Sequence, residues 1–581
     1  MDVKPLEKFL PVLQWLPEYQ RKDLSGDIIA GTIVTIVLIP QAMAYAMLAG
    51  LSPQIGLYSC IVPIVIYSVL GTSRTLAVGP VGLMSLMTAT ALSSLNLPDN
   101  QLNLAALTLA LLAGIILMLM RIIRLGAFVN FLSHPVISGF TSAGALLIAF
   151  SQLKHLLGLT LPNGLPWYKG LIYMTTNLEE INWITATLGI GGILLLVGMR
   201  SGVPKILTSL GTPATLVNIL SKSGPLMAVI VGTLLSRIFE LHSHANVSIV
   251  GSIPAGLPAI AIPRFDWPLW QMLLQSAALI AVIGFLESVS VAKALASRRR
   301  QKINANQELL ALGAANIGAA FSGGYTVAGG FGRSMVNFTS GANTPLASLI
   351  TAALIAFSLL FLTPLFYYLP HAVLAAIIML AVSALIDVDS IHHTWTYNKA
   401  DTAALVTTFI AVLVIGLEPG ILFGAGLSIA LYLHQSSRPH LAIVGRVGNS
   451  EHFRNIDRHS VKTYPDILAL RIDENLYFAN THYLEDKILE LVADNKEVRH
   501  LVLICSAISF VDSSALESLR SLIEYLKNAG VILHLAEVKG PVMDRLEKTN
   551  LLDNLGEGKV FLSAHEAMQV LSGEGKLLQE T

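Results

Sequence analysis

Apolar runs long enough to cross a bilayer recur along this chain from about residue 25 and stop near residue 437. A spanning helix needs about 20 apolar residues. Reading each run to its flanking charge or Pro/Gly gives spans at 25–48, 53–71, 77–93, 104–124, 134–157, 183–199, 224–240, 272–296, 309–323, 331–341, 345–363, 370–387, 402–418 and 419–437. The pattern predicts an all-α polytopic membrane domain of about 14 segments over 25–437, after an N-terminal segment at 1–24. The runs at 77–93 and 331–341 begin on glycine-rich stretches and are short, so they read as half-helices. Beyond residue 438 the periodicity changes. Ile467 to Ile472, His500 to Cys505 and Val531 to Leu535 read as strands, and Ser513 to Leu526 has helical spacing closed by Asn528-Ala529-Gly530. Strand–helix alternation predicts an α/β domain within 438–581, after a linker.

Composition supports the membrane reading. Charged residues are 13% of the 581, about half the share in a soluble domain, and mean hydropathy is +0.65. One signal peptide would explain one apolar run, not this series. Cations cluster after even-numbered segments: Arg121 and Arg124, Arg200 and Lys205, Arg298 to Arg300 with Lys302, and Arg438. Together with Lys4, Lys8, Arg21 and Lys22 they fall on one side, which places both termini in the cytoplasm. Net charge is zero, so no global field points to nucleic acid. Cys60 and Cys505 read as free thiols.

The two half-helices select the substrate's sign. Thr75 to Gly82 runs from an extended stretch through Gly79-Pro80, with proline expected in the first helical turn. Tyr325 to Ser334 does the same through Gly329-Gly330 and then carries Arg333. They are the third segments of two seven-segment halves (about 25–240 and 272–437), the pattern of an inverted-repeat transporter with its site between broken helices. Each helix N-terminus contributes roughly half a positive charge and free N–H groups; with Arg333 the site carries roughly two positive units. Such a site suits an anion. The alternative is that the glycines ease packing and Arg333 reaches an interface. Glu287 lies within a span, where an ionised carboxylate costs roughly 2.5–3.5 kcal/mol. It should pair with Arg333, bind a cation or take a proton, and protonation would couple to anion binding. A static Glu287–Arg333 pair is the structural alternative.

Asp27 to Gly31, Ile39 to Ala46, Leu48 to Pro53, Gly56 to Ser59 and Gly71 to Arg74 strongly resemble the SulP family of sulfate permeases. Asn316-Ile317-Gly318 and Gly330 to Asn337 match in the second half, and Ile508 to Ala515 resembles the signature turn of a STAS domain. The resemblance implies two inverted repeats forming a core and a gate, elevator-like movement, and a homodimer. By the family's pattern the substrate would contact Gln41, Tyr45, Val81, Gly332, Arg333 and Ser334, with Glu287 as the coupling group. Some members carry an aromatic where Val81 stands and a serine where Gly332 stands; the smaller pair here leaves room for an oxyanion such as sulfate. A glutamate at 287 matches proton-coupled sulfate carriers, whereas sodium-dependent bicarbonate members have an aspartate. The expectation is therefore an anion carrier, sulfate favoured, with a proton as co-substrate. Sodium-coupled bicarbonate transport and anion exchange are the alternatives, and a STAS-mediated regulator is the remote one.

The STAS resemblance implies phosphorylation at Ser513 or Ser514, although Asp512 and these serines also suit an ordinary N-cap, the favoured reading. His392 and His393 read as loop histidines, and Asn246-Val247-Ser248 as a chance sequon. No P-loop, nucleophile elbow or metal-ligand cluster stands in the sequence, so no enzyme, cofactor or metal is expected.

Overall fold

The computed structural model describes residues 9–95, 97–126, 133–161, 165–263, 265–448 and 450–573. Lys4 and Lys8, counted above for orientation, lie outside the described residues, as does the end of the 438–581 domain after 573. The chain forms two compact units, Met1–Ala425 and Gly426–Thr581, divided within the helix Leu417–Ser436.

The first unit runs α1 (Arg21–Leu48), α2 (Pro53–Tyr58), α3 (Val62–Leu70), strand β1 (Val78–Gly79), α4 (Gly82–Ser93), α5 (Asp99–Ile122), α6 (His134–Leu157), α7 (Trp183–Val197) and α8 (Gly224–Ile238). It continues with α9 (Trp267–Arg298), α10 (Ala305–Phe321), strand β2 (Ala328–Gly329), α11 (Phe331–Thr339), α12 (Leu346–Phe361), α13 (His371–Ser383), α14 (Lys399–Ile415) and α15 (Leu417–Ser436). Each of the 14 apolar runs thus contains helix, and the second run breaks into two. Eight helical stretches among the described residues are long and apolar enough to cross a membrane. At 32 residues, α9 is the longest; at 1.5 Å per residue it extends about 48 Å, longer than a bilayer core is thick. Proline opens α2, α3, α6, α8 and α9, where its missing N–H costs nothing. His392 and His393, expected in a loop, lie exposed on the short helix Val388–Tyr397, with Asp387 capping its N-terminus.

Two packing groups emerge. Helices α3, α5, α9 and α10 pack tightly together, with α1 against α12; α6, α7, α13 and α14 form the second group. The first group is called the core and the second the gate, as names for the packing groups only. Small residues set the approach, as they must where lipid offers no hydrophobic drive: a Cβ on Gly114 of α5 would come within 2.8 Å of the Gly313 carbonyl oxygen of α10.

The second unit is an α/β domain. Beyond α15 it comprises β3 (Leu441–Arg446), β4 (Phe453–Asn455), β5 (Ile467–Ile472), α16 (Thr481–Asp494), β6 (His500–Ile504), α17 (Ser513–Asn528), β7 (Ile532–Ala536), α18 (Gly540–Glu547), β8 (Val560–Phe561) and α19 (Ala564–Leu571). The sheet order is β4-β3-β5-β6-β7-β8, parallel from β5 onward. Alternation along β5 divides its faces. Leu468, Leu470 and Ile472 pack with α16, α17 and α18, whereas Ile467 and Ala469 pack with α19. Burial pushes the Cys505 thiol up to about 12, which leaves it inert.

Candidate functional site

The all-α expectation for the membrane unit misses one element. β1 and β2 pair antiparallel, Val78 opposite Gly329 and Gly79 opposite Ala328, and each leads into a half-helix. The ladder is held from several helices. Ser288 Oγ on α9 accepts from the Gly329 N–H at 2.7 Å. Asn316 on α10 grips Val327 twice, donating to its carbonyl and accepting from its N–H, both at 2.9 Å. Ser85 and Thr88 of α4 bond the hydroxyls of Tyr325 and Thr326 at 2.8 and 2.9 Å. Buried irregular backbone is thereby satisfied where no water reaches it.

Helix α4 starts at Gly82 with Val81 as N-cap, so Pro80 lies outside it instead of in its first turn. The proline's carbonyl is needed elsewhere: it accepts from Arg333 Nη1. Gly330 caps α11, and neither half-helix has a side-chain cap. Their first-turn N–H groups therefore converge uncapped at the ladder, available to an anion.

Arg333 is 4% exposed, and its Nε and Nη2 atoms have no partner. Gly79 lies over it; a Cβ there would be 3.5 Å from Nη2. Glu287 on α9 also has a buried, unpartnered oxygen, Oε2. Among the described residues no ion pair joins Glu287 to Arg333. Tyr45 is buried with its ring 3.2 Å from where a Cβ on Gly82 would stand. Gln41 shares the α1 face of Tyr45 at i, i+4 and is half-buried. Gly332 is exposed with open space beside its Cα. Ser334 differs from the rest: its hydroxyl already accepts from the Ala77 N–H at 2.9 Å, so it braces the ladder. The structure thus gathers Tyr45, Val81, Glu287 and Arg333 about two helix starts, with Gly332 on the open side.

Ser513 and Ser514 lie in the other unit, exposed at the start of α17. The cap is Asp512 alone, which accepts from the Ala515 N–H at 2.8 Å and the Phe478 N–H at 2.9 Å. Among the described residues no three His, Cys, Asp or Glu side chains group as a metal site.

Sequence reasoning missed two buried carboxylates. Glu308 of α10 is fully buried and accepts from Tyr67 Oη (2.7 Å), Thr72 N–H (2.7 Å) and Thr72 Oγ1 (2.6 Å). Asp27 of α1, equally buried, accepts from Asn343 N–H, Thr344 N–H and Thr344 Oγ1 at 2.6–3.0 Å. An acid adjoining an apolar run was the available signal, but treating charge as a segment boundary hid Glu308.

The Sulfate permease family profile matches residues 24–408, and the STAS domain profile matches 458–567. The chain is 36% identical over 579 residues to Probable sulfate transporter 4.2 of Arabidopsis thaliana, covering 97% of this chain and 84% of that one. It is equally identical to Sulfate transporter 4.1, chloroplastic, of the same plant, over 97% and 83% of the two chains. High affinity sulfate transporter 2 of Stylosanthes hamata is 31% identical over 97% and 86%. The fold superposes on murine Solute Carrier 26 family member A9 in the inward-facing state with TM-score 0.88, at 23% identity over 98% and 94%. It also superposes on the transmembrane domain of a cyanobacterium bicarbonate transporter, BicA, with TM-score 0.60 at 23% identity, over 71% of this chain and 98% of that one.

Proposed function

Because this chain belongs to the sulfate permease family and carries a C-terminal STAS domain, we propose that it moves sulfate, or an oxyanion of similar size, across the membrane together with protons. One observation carries the reading: two uncapped helix N-termini meet over a buried Arg333 with two unpartnered nitrogens. Such a site holds roughly two positive units and donors in several directions, which matches a doubly charged tetrahedral acceptor. The relatives named as sulfate transporters support sulfate. Gly332 leaves open space beside the site.

Glu287 is the proton site in this reading. In this reading its partnerless oxygen holds the proton that crosses with sulfate, and the proton is released after delivery. Core moves against gate as an elevator, carrying α4 and α11 with the substrate. The functional chain is a homodimer with residues 1–24 cytoplasmic, transport in 25–437 and a regulatory module in 438–581. Asp512 caps α17 without either serine, so Ser513 and Ser514 are free to be phosphorylated without loss of the cap.

The test is uptake of radiolabelled sulfate into proteoliposomes under an imposed pH gradient. Acid-outside uptake well above the no-gradient rate is expected, with the gradient effect lost in Glu287→Gln. Uptake indifferent to the gradient would sink proton coupling; uptake abolished when choline replaces sodium would favour the sodium reading.

A further inference from the structure

A cavity of about 530 Å³ opens between the core half-helix α4, the gate helix α6, the short helix Trp167–Thr176 and the junction of α14 with α15. Its walls are mostly apolar. Trp167 forms one rigid wall: its indole stacks on Phe150 with centroids 5.1 Å apart, and its Nε1–H donates to the Leu413 carbonyl at 2.6 Å. Of the lining hydroxyls, Thr90 bonds the Leu86 carbonyl and Ser151 the Ile148 carbonyl, each within its own helix. Lys154 is the one charged lining residue among those described. It forms no ion pair or side-chain hydrogen bond with any described residue. It stands four residues after Phe150 on α6, so cation and aromatic wall share one helix face.

We propose that this cavity binds an aromatic or single-chain amphipathic carboxylate, its anion on Lys154 and its apolar body against Trp167 and Phe150, and that the occupant wedges core against gate. The volume lies in the range that encloses a drug-sized ligand and is too small for a two-chain phospholipid. Mostly apolar walls disfavour a small hydrated oxyanion, because Lys154 and a few hydroxyls replace only part of its lost water contacts. The lone cation sets the sign, and the flat stacked wall sets the shape. The wedge effect rests on the elevator reading above; the binding does not.

The experiment uses the full chain in detergent with 1-pyrenebutyrate as probe and 1-pyrenebutanol as its uncharged twin, read by energy transfer from tryptophan to pyrene. The acid is expected to bind at least about ten-fold more tightly than the alcohol, with that preference lost in Lys154→Gln and kept in Lys154→Arg. Leu147→Trp, which fills the space, should weaken both probes. Saturating sulfate should not displace the acid. In sulfate uptake, pyrenebutyrate should lower the maximal rate and leave half-saturating sulfate unchanged. Equal binding of acid and alcohol, indifference to Lys154→Gln, or displacement by sulfate would each overturn the proposal. If the protein carried no sulfate at all, the function reading would fall and the binding measurements would still decide this one.

Discussion

Glu287 and Glu308 stand on successive helices of the same core, and their surroundings are opposite. Glu308 is saturated: three donors from α3 and the turn after it fill its two oxygens. Asp27 is built the same way on α1. Glu287 keeps an oxygen with no partner, and so does the neighbouring Arg333 guanidinium with two nitrogens. Burying a polar group unpaired is costly, so native interiors pair nearly all of them. Saturated acids here tie helix ends together. Unsaturated groups, clustered at two uncapped helix starts, mark where the protein leaves room for something it does not contain. Burial alone would have ranked Glu308 and Arg333 together; the count of partners separates them.

The sharpest way to break that comparison is Arg333→Ala. If its free nitrogens serve the substrate, binding should lose about 2–5 kcal/mol, about thirty-fold or more in half-saturating sulfate, while the purified protein stays monodisperse. Loss of fold with no separable loss of binding would make Arg333 structural. Next comes the exchange of the two glutamates. Glu308→Gln puts an amide N–H against donors and should cost about 2–3 kcal/mol, seen as a fall in melting temperature by thermal shift. Glu287→Gln should leave melting unchanged and remove the pH-gradient response; a destabilised Glu287→Gln would erase the contrast. Gly332→Phe, placed in open space, should raise half-saturating sulfate about ten-fold and affect smaller chloride less, measured by competition. The smallest effect belongs to the soluble unit. Asp512→Ala should cost about 1 kcal/mol of domain stability and Ser513→Ala almost none, by calorimetry on the full chain.

Much of the architecture was legible because lipid enforces it. Apolar runs must be helices, so the 14 segments and the paired interruptions at Gly79 and Gly329 follow from local pattern. Arg333 and Glu287 stood out because charge inside a span is rare. The STAS strands at Ile467–Ile472 and His500–Ile504 announced themselves by composition. What stayed hidden depends on distant partners. Nothing local tells that Glu308 meets Tyr67, that Asp27 meets Thr344, or that the Ser334 hydroxyl accepts from Ala77. Asn316 was visible as part of a motif, but its two-sided grip on Val327 appears only once α10 and β2 are side by side. Pro80 was misplaced by a helix-start rule because its carbonyl has a long-range duty to Arg333 that overrides it.

The β1–β2 ladder also constrains how the protein is made. Val78 pairs with Gly329, about 250 residues later in the chain. A ribosome adding roughly 5–20 residues per second needs on the order of tens of seconds to cover that distance. Through that interval the β1 backbone has no strand to pair with, and bare lipid would charge several kcal/mol for each unmet group. The nascent first half must therefore wait in a wet or protein-lined shelter at the translocation machinery. The paired form of β1 exists only once the second half has been made.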